Sequence, residues 1–381
     1  MTRATATTTD TESSRAQPSR RVVIGHDFLE AYGGAERIAA EIAAAFPEAG
    51  FHAILGRSQV VRRMGIEERF SALLPENPVL LRHYRTLAPL YPALVAARPL
   101  PEADVLVTSS YAFAHGFRTR NAAPQLCYCY SPLRFAWSMA GDYGRQAGAG
   151  RPGVAAMRLL AGGMRALDRR AAGRVTRYVA ESGYVQAQIR EFYGREAEVL
   201  HPPVDTDRFR LPEAEGHDDY FLFCGRLVEP YKRPHLAVEA FRDLPHRLVV
   251  AGGGPELEKL QSKAGPNVEF VGHVEDDVLI PLMQRCAAAI FPSQDDFGLI
   301  PVEVAACGRP TIAFAGGGAL ETVAPGVSGE FFGRQEAATL RQVVEDFKPD
   351  DYDPEEVRRH AEGWARSRFT MRIRELAEDL A

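Results

Sequence analysis

The sequence has few cysteines and few lysines. Its 381 residues contain five cysteines, and only four of its 45 Lys and Arg side chains are lysines. The cysteines are Cys127, Cys129, Cys224, Cys286 and Cys307. Their number is odd, and no spacing among them fits a zinc site or a disulfide framework. We therefore expect small buried thiols in a reducing compartment, and Lys232 stands out as a rare lysine.

Long apolar runs and an excess of positive charge are also absent. No segment is apolar over the length needed to cross a bilayer, and residues 1–20 are rich in Thr and Ser without the apolar core of a secretion signal. The formal net charge of -5 gives no reason to expect bulk binding to nucleic acid. We expect a disordered tail over residues 1–20 and a cytoplasmic protein.

The length of the chain favours two domains. In the first half, short apolar runs alternate with helix-like segments, which is the rhythm of a parallel sheet covered by helices. These runs are Arg21–Gly25, Asp104–Thr108, Gln125–Tyr130 and Arg177–Ala180. The sequence therefore predicts a doubly wound α/β domain over residues 21–200.

A segment with two adjacent prolines, His201–Asp205, separates this domain from a second one. Beyond it the same rhythm restarts, with apolar runs that suit strands buried on both faces. These runs are Tyr220–Cys224, Arg247–Ala251, Val268–Val271, Ala288–Phe291 and Thr311–Phe314. We predict a second doubly wound domain within 201–360 and an amphipathic helix over 361–381. Ligands bind at the carboxyl ends of such strands, so two facing sheets place the site in the cleft between them.

The Gly33-Gly34 pair lies between the first strand and the first helix. Glycines there allow backbone N–H groups to approach an anion, and a helix N-terminus favours negative charge. A plain tight turn explains the pair equally well. The full dinucleotide fingerprint G-x-G-x-x-G and its downstream ribose-binding acid are absent, which disfavours a nicotinamide-dependent dehydrogenase.

Two cations follow the first strand of the second domain. Gly225-Arg226 ends that strand, and Lys232 lies six residues after Arg226. Together they suit a diphosphate, because Arg offers a planar fork and Lys a point charge. When a bond between a sugar and a nucleotide breaks, negative charge develops on the diphosphate that these cations would hold. A solvated surface pair is the alternative.

An acidic motif follows the strand that ends at Phe291. Asp295 precedes the turn Phe297-Gly298-Leu299, and Glu303 lies eight residues after Asp295, on the first turns of a predicted helix. Glu303 can accept hydrogen bonds from a ribose diol, whereas Asp295 and the turn backbone can face a transferred sugar. Ordinary capping of the helix N-terminus is the alternative.

Taken together and in this order, these motifs resemble the large family 4 of retaining glycosyltransferases, which has the GT-B fold of two Rossmann-like domains. The resemblance covers almost the whole chain after the tail, and bacterial mannosyltransferase-like members look most similar. The further motifs that carry it are Ser131–Trp137, His201–Asp205 and Gly252–Pro255.

The resemblance implies roles for individual residues. Arg226 and Lys232 hold the donor diphosphate and act as the chief catalytic groups, and Glu303 binds the ribose. Asp295 contacts the donor sugar and is also predicted to be catalytic. The donor-binding set that the resemblance implies is Gly33, Gly34, Gly225, Arg226, Lys232, Gly272, His273, Val274, Phe297, Gly298, Leu299 and Glu303, with the turn at 272–274 beside the nucleobase. The C-terminal helix is expected to cross back onto the first domain.

Two residues depart from the family pattern. The acidic motif usually begins with Glu, and this chain has the shorter Asp295. The Ser-Pro segment is often preceded by His in the similar members, and this chain has Tyr130. His115 and His26 are the candidates to replace that histidine, and we include His115 among the predicted catalytic residues.

The resemblance implies metal-independent, retaining transfer of a hexose from a GDP- or UDP-linked donor to a hydroxyl acceptor. GDP-mannose is favoured on resemblance alone, and no cofactor or metal is expected. The acceptor is a glycan precursor or a secondary metabolite, and its identity, the linkage and the oligomeric state stay open. The alternatives are a sugar-nucleotide epimerase or phosphorylase on the same fold, and a non-catalytic partner that binds a nucleotide sugar.

Two further features have bland explanations. Asp205-Thr206-Asp207 matches the D-x-D motif of metal-dependent transferases, but it lies in the predicted linker, where Asp is expected in turns. An arginine-rich helical stretch over 151–177 carries Leu159, Leu160 and Leu167. We interpret it as a solvated face, with docking to an anionic membrane or a lipid-phosphate acceptor as the alternative.

Overall fold

The computed structural model of the protein describes residues 20–137, 151–214 and 216–380. The expected disordered tail lies, except for Arg20, outside these residues. Within them, two parallel sheets are each flanked by helices. This confirms the prediction of two Rossmann-like, doubly wound domains.

The first domain is built on a seven-stranded parallel sheet. Its strands are β1 Val22–Leu29, β2 Gly50–Gly56, β3 Phe70–Ala72, β4 Val105–Ser110, β5 Gln125–Cys129, β6 Arg177–Ala180 and β7 Ala197–Val199. Their order across the sheet is β3-β2-β1-β4-β5-β6-β7. The helices of this domain are α1 Gly34–Ala45, α2 Ser58–Met64, α3 Pro78–His83, α4 Tyr91–Ala97, α5 Arg151–Ala172 and α6 Gly183–Tyr193.

The second domain repeats the plan with six parallel strands. They are β8 Tyr220–Cys224, β9 Arg247–Ala251, β10 Val268–Gly272, β11 Ala288–Phe291, β12 Thr311–Phe314 and β13 Gly329–Phe332, in the order β10-β9-β8-β11-β12-β13. The helices are α7 Pro234–Phe241, α8 Leu257–Gln261, α9 Asp276–Arg285, α10 Leu299–Ala306, α11 Ala319–Thr322, α12 Ala337–Asp346, α13 Pro354–Ala361 and α14 Arg366–Glu378. In both sheets the strand order reverses beside the first strand of the domain, which is where such sheets open a crevice for ligands.

The central strands are covered on both faces. Every residue of β4, β5, β8 and β11 is buried. Helices pack on each side of the sheet, so these strands read mostly as apolar runs instead of alternating patterns. All five cysteines are free and buried, as expected from their apolar surroundings.

The last helix returns to the first domain. Phe369 and Ile373 of α14 lie in the same hydrophobic cluster as Ile38 and Ile42 of α1. The ring of Phe369 meets that of Tyr128 in β5 at 5.5 Å between centroids. The two domains are therefore joined by the linker and by this helix. Among the described residues, none of the helices has both the length and the apolar character needed to cross a membrane.

Candidate active site

The carboxyl ends of the two sheets face each other, and side chains link them directly. Arg37 of α1 pairs with Glu303 of α10, and Arg134 after β5 pairs with Asp296 after β11. The hydroxyl of Ser182 also donates to the backbone carbonyl of Asp296 at 2.5 Å. These contacts join the acidic motif of the second domain to the strand ends of the first, so the structure shows the cleft closed.

The Gly33-Gly34 loop lies at this cleft. The N–H of Gly33 donates to the carboxylate of Glu36 at 2.9 Å, which begins α1 with a capping interaction. A Cβ added to Gly34 would lie 3.1 Å from the Leu299 side chain of the second domain. Burial raises the pKa of Glu36 to about 7, and the positive charge of Arg226 opposes that shift. The charges of Glu36 and Arg226 therefore interact across the cleft.

The two predicted diphosphate ligands follow β8 but differ in their partners. Arg226 is exposed and forms no ion pair with any residue that the structure describes. Lys232 is partly buried and pairs with Asp295. The structure thus brings together Lys232 and Asp295, two residues that the sequence placed in one site. Arg226 keeps a guanidinium available for an anion.

Glycines allow the loops after β8 and β9 to pack against each other. Gly252 has φ +154°, and a Cβ there would lie 1.9 Å from the carbonyl oxygen of Gly225. At Gly254 a Cβ would lie 2.3 Å from the carbonyl oxygen of Leu227. The backbone next to Arg226 is therefore set by a contact that only glycine permits.

A second glycine run, Gly316–Gly318, supports the acidic motif. A Cβ on Gly317 would lie 2.3 Å from the carbonyl oxygen of Asp295, and one on Gly318 would lie 2.3 Å from the Cα of Phe297. The N–H of Gly318 donates to the Asp295 carbonyl at 2.9 Å. Sequence reasoning missed this role, although three consecutive glycines after a predicted strand were a usable signal.

Asp296 has a larger role than the sequence suggested. It is buried, pairs with Arg134, and accepts from the Gln188 amide at 3.4 Å. Burial raises its pKa, while Arg134 opposes the rise. The Arg134 guanidinium also lies 5.6 Å from the centre of the Tyr231 ring, in the loop that carries Lys232. Asp296 and Arg134 therefore tie the Ser-Pro segment to the donor loops.

The predicted nucleobase turn lies at the end of β10. Gly272 has φ +74°, and its carbonyl accepts from the N–H of Gly252 at 2.7 Å, beside the glycine loop. Val274 packs on the core of the second domain, whereas the side chain of His273 is 80% exposed. The turn is placed next to the loop after β9, and its contact with a base stays a prediction.

His115 lies in a buried network within the first domain. Its Nε2 is 3.1 Å from a carboxylate oxygen of Asp168, without the alignment of a hydrogen bond. Asp168 also accepts from the indole of Trp137 at 2.7 Å and from the hydroxyl of Tyr193 at 2.8 Å. Burial disfavours the charged imidazole and is the largest single influence, but the charge and contacts of Asp168 together with the charge of Asp27 outweigh it, so the His115 pKa is raised. These contacts link α5 and α6 and do not reach the second domain, so the predicted catalytic role has no support from the geometry.

His26 and Tyr130 form a separate buried chain of contacts. His26 Nδ1 lies 3.0 Å from the Ser109 hydroxyl, which lies 2.6 Å from the Tyr130 hydroxyl. Tyr130 in turn donates to the carbonyl of Ala35 at 3.0 Å. Tyr130 therefore positions the first turn of α1, next to the Gly33-Gly34 loop.

His26 makes stability depend on pH. Burial lowers its pKa from 6.5 to about 4, so the folded protein holds the neutral ring while the unfolded chain takes up a proton below pH 6.5. Stability is then lost as the pH falls from 6.5 towards 4, by roughly 3 kcal/mol from this group. We expect the free energy of unfolding in urea to depend less on pH between 6.5 and 4 in His26→Asn than in wild type. The exposed His83→Asn variant serves as the control, and an unchanged slope in His26→Asn would contradict the assignment.

A further link between the domains was not foreseen. Glu321 of α11 accepts from the N–H groups of Gly183 and Tyr184 at 3.0 and 3.2 Å, at the N-terminus of α6. It also lies 2.9 Å from Nε2 of His201 in the linker. Burial works against ionisation, but these contacts lower the Glu321 pKa. Glu321 therefore caps a helix of the opposite domain.

The D-x-D segment in the linker is occupied by structural contacts. Asp205 accepts from the N–H of Arg208 at 3.1 Å and from Arg366 of α14 at 3.0 Å. These contacts agree with a turn in the linker, as the sequence suggested. Over the described ranges, no three His, Cys, Asp or Glu side chains are gathered as metal ligands.

Comparison with known proteins supports the class that the fold defines. Residues 32–208 match the family described as glycosyltransferase family 4, and residues 205–364 match glycosyl transferases group 1. The chain therefore belongs to the family 4-like glycosyltransferases of the GT-B fold.

Individual relatives are more distant. The chain is 26% identical to an uncharacterized glycosyltransferase of Methanocaldococcus jannaschii, over 44% of this chain and 48% of the relative. It is 27% identical to the D-rhamnosyltransferase WbpZ of Pseudomonas aeruginosa, over 51% of this chain and 56% of the relative. The chain thus matches about half the length of these curated relatives.

Solved structures share the fold over nearly the whole chain. The Anabaena protein HepE in complex with UDP superposes with a TM-score of 0.69 at 17% identity, covering 94% of this chain and 100% of that one. Sucrose-phosphate synthase from Thermosynechococcus elongatus gives a TM-score of 0.67 at 16% identity, covering 95% and 99%. At such identities the likeness concerns the fold alone.

Proposed function

We propose that the protein is a metal-independent, retaining glycosyltransferase that moves a hexose from a nucleoside diphosphate sugar to a hydroxyl acceptor. The observation that carries the proposal is that Arg226, without an ion-pair partner among the described residues, and the partly buried Lys232 both follow β8 at the closed cleft. A guanidinium and an ammonium at that place are suited to a diphosphate leaving group.

The proposed donor site extends from these cations along the strand ends. Gly225 and the glycine loop after β9 bring the backbone close to the diphosphate. Glu303 accepts hydrogen bonds from the ribose after its ion pair with Arg37 opens. Asp295 and the Phe297–Leu299 turn face the sugar, held by the glycine run at 316–318. The Gly33-Gly34 loop adds backbone N–H groups from the first domain.

In the proposed reaction, Arg226 and Lys232 stabilise the negative charge that develops on the departing diphosphate. The departing phosphate helps to take the acceptor proton, so the acceptor attacks from the face that the nucleotide leaves. Closure of the domains, as the ion pairs across the cleft allow, excludes water during transfer. No cofactor takes part.

The donor is a UDP- or GDP-linked hexose. The structures of HepE contain UDP, or UDP with glucose, or UDP-glucose, which supports a nucleotide sugar without deciding the base. Similarity to mannosyltransferase-like members supports GDP-mannose. The test is incubation with UDP-glucose, UDP-galactose and GDP-mannose in EDTA, with release of the nucleoside diphosphate as the readout. One donor turned over in EDTA, with the product keeping the anomeric configuration in NMR, supports the proposal. Turnover that needs magnesium, or an inverted product, contradicts it.

The same assay separates the other two functions. Conversion of the donor to another nucleotide sugar indicates an epimerase, and turnover only with added inorganic phosphate indicates a phosphorylase. Binding of nucleoside diphosphate without turnover of any donor indicates a non-catalytic partner.

We also propose that the protein is cytoplasmic and docks on anionic membrane through one face of its first domain. Helices α3, α4 and α5 share a hydrophobic cluster through Leu81, Val95 and Met164. Of the eight exposed large hydrophobic side chains among the described residues, four lie on α3 and α5, namely Val79, Leu159, Leu160 and Leu167, and a fifth, Leu90, directly precedes α4. Exposed Arg169 and Arg170 lie near the end of α5, and exposed Arg174 follows the helix. Leucines bordered by arginines suit an anionic lipid surface.

Acidic substitutions on α5 test this surface. We expect the chain to co-sediment with vesicles containing phosphatidylglycerol, less at high salt, and not with pure phosphatidylcholine. Leu160→Glu combined with Leu167→Glu should lower the bound fraction at least about tenfold, because apolar contact and charge attraction are both weakened. Met371→Glu, at a similarly exposed position on α14, is the control. Equal binding of all three proteins contradicts the proposal.

A further inference from the structure

Glu181 lies at the carboxyl edge of the first sheet, where the second domain closes on it. It follows β6, and its N–H donates to the carbonyl of Cys129 in β5 at 3.2 Å. The next residue, Ser182, caps α6 and donates to the backbone of Asp296 in the acidic motif. Glu181 is therefore adjacent to a direct contact between the domains.

The Glu181 side chain is largely buried and has no partner within the described part of the chain. The residue is 7% exposed, and its carboxyl makes no hydrogen bond or ion pair with any residue that the structure describes. Its oxygens are not among the fully enclosed polar atoms without a partner, so they keep some accessible surface. Other buried acids of the first domain are satisfied: Glu36 accepts from Gly33, and Asp27 accepts from four backbone N–H groups at 111–114. Unlike them, Glu181 has carboxyl oxygens without a partner among the described residues, and these oxygens can therefore take a ligand.

The surroundings of Glu181 are mainly acidic. Its pKa is raised well above the usual value, chiefly by burial and then by the charge of Asp296, while Arg134 opposes the rise. Asp295 and Glu321 act in the same direction as Asp296. Glu181 also raises the pKa of Tyr130, behind the Gly33-Gly34 loop. The carboxyl thus lies within electrostatic reach of residues from both domains.

We propose that Glu181 is an acceptor-binding residue and that it takes a hydroxyl group of a neutral sugar or polyol. The proposal rests on the glycosyltransferase function, in which the second domain holds the donor and the first holds the acceptor. The Glu181 carboxyl can accept a hydrogen bond from a hydroxyl group of the sugar. When it is protonated, it can also donate one to that group.

The same surroundings predict which acceptor groups cannot bind at Glu181. An acceptor with a phosphate or carboxylate at this point would meet the negative charges of Asp295, Asp296 and Glu321 in addition to Glu181, while Arg134 opposes them. Like charges in a buried site are costly, so anionic groups are excluded unless they lie elsewhere in the acceptor. Glu181 therefore selects for a neutral hydroxyl-bearing group.

The test compares wild type with Glu181→Ala, Glu181→Gln and the control Glu196→Gln, where Glu196 is an exposed residue in the loop after α6 that pairs with Arg190. Binding of UDP and GDP is measured by thermal shift. In the presence of the bound nucleotide, neutral monosaccharides, inositol and glycerol are then compared with glucose 6-phosphate and mannose 6-phosphate. Transfer to every sugar that binds is assayed for KM and kcat.

We expect all four proteins to bind nucleotide equally, and wild type to bind a neutral sugar or polyol in preference to the phosphates. In Glu181→Ala the KM for that acceptor should rise about tenfold or more, with a smaller rise in Glu181→Gln, which keeps hydrogen-bonding capacity. An unchanged acceptor KM in Glu181→Ala, or preference of wild type for the phosphates, overturns the inference. Failure of wild type to bind any nucleotide overturns the proposed function instead. Loss of sugar binding in Glu181→Ala would still support the inference.

A folding measurement shows that the variants stay native. Because the pKa of Glu181 is raised in the folded state, its contribution to stability is present below the ordinary Glu pKa and is lost as the pH rises through the raised value. We expect Glu181→Gln to gain stability relative to wild type between pH 5 and pH 8 in urea unfolding. If the stability difference between Glu181→Gln and wild type is the same at pH 5 and at pH 8, the raised pKa of Glu181 is wrong.

Discussion

Arg226→Ala should lower kcat/KM for donor turnover by roughly 100- to 1000-fold and abolish stabilisation by nucleoside diphosphate. Arg226 is exposed at the end of β8 and has no ion-pair partner among the described residues, so its charge is free for the donor. Removing one charged group that stabilises a developing anion typically costs that much in rate. The measurement is steady-state kinetics with the donor, together with thermal shift by the matching diphosphate.

The control for this prediction is Arg247→Ala. Arg247 begins β9 and forms an exposed ion pair with Glu269, away from the strand ends that line the cleft. Exposed pairs of this kind contribute little to stability, so turnover and nucleotide binding should stay within about twofold of wild type. If Arg226→Ala keeps nucleotide binding, or if both variants lose activity equally, the diphosphate role of Arg226 is wrong.

Gly252→Ala should destabilise the protein by at least about 2 kcal/mol and weaken nucleotide binding. The residue has φ +154°, and its Cβ would lie 1.9 Å from the Gly225 carbonyl oxygen. Neither the backbone angle nor the contact can be relieved without moving the loop that carries Arg226. Urea unfolding gives the stability, and thermal shift with the diphosphate gives the effect on binding.

The neighbouring Gly253 provides a matched control. It does not have a positive φ, and the atom nearest to an added Cβ is the His273 Cβ at 3.7 Å, an ordinary contact. We expect Gly253→Ala to unfold within about 0.5 kcal/mol of wild type. Similar losses in both variants would show that the close approach of the two loops does not set the site.

The alternation of apolar runs was enough to predict the class of fold. The central strands β4, β5, β8 and β11 are buried throughout, which gives a strong local signal. Strand β2, Gly50–Gly56, was missed because its run contains His52 and is bounded by glycines that suggested turns. The three-residue strands β3 and β7 are too short for a periodic pattern to stand out.

The candidate site was predictable where its residues are near each other in sequence. Arg226 and Lys232 follow one strand, so their common position needed only the strand to be recognised. The pairing of Arg37 with Glu303 spans 266 positions, and that of Arg134 with Asp296 spans 162. Such pairs depend on how two domains meet, which no local pattern in a single sequence encodes.

Histidines illustrate the same limit. In the sequence, His115 and His26 were equally good candidates for the histidine that the family pattern expects, because each follows an apolar run. The charge of each ring depends on surroundings that the sequence does not show. The structure places one beside Asp168 and the other beside Ser109, both buried in the first domain. Only burial and partners distinguish a structural imidazole from one available to a substrate.

The most direct test of the central claim is nucleotide binding by the wild-type protein in EDTA. A thermal-shift panel with UDP, GDP, ADP, dTDP and NAD compares the ligands, each at about 100 times its dissociation constant, where stabilisation is roughly 2.7 kcal/mol. The account predicts that UDP or GDP stabilises the protein without metal and that added magnesium changes little. Stabilisation by NAD alone, or by no nucleoside diphosphate, would contradict it.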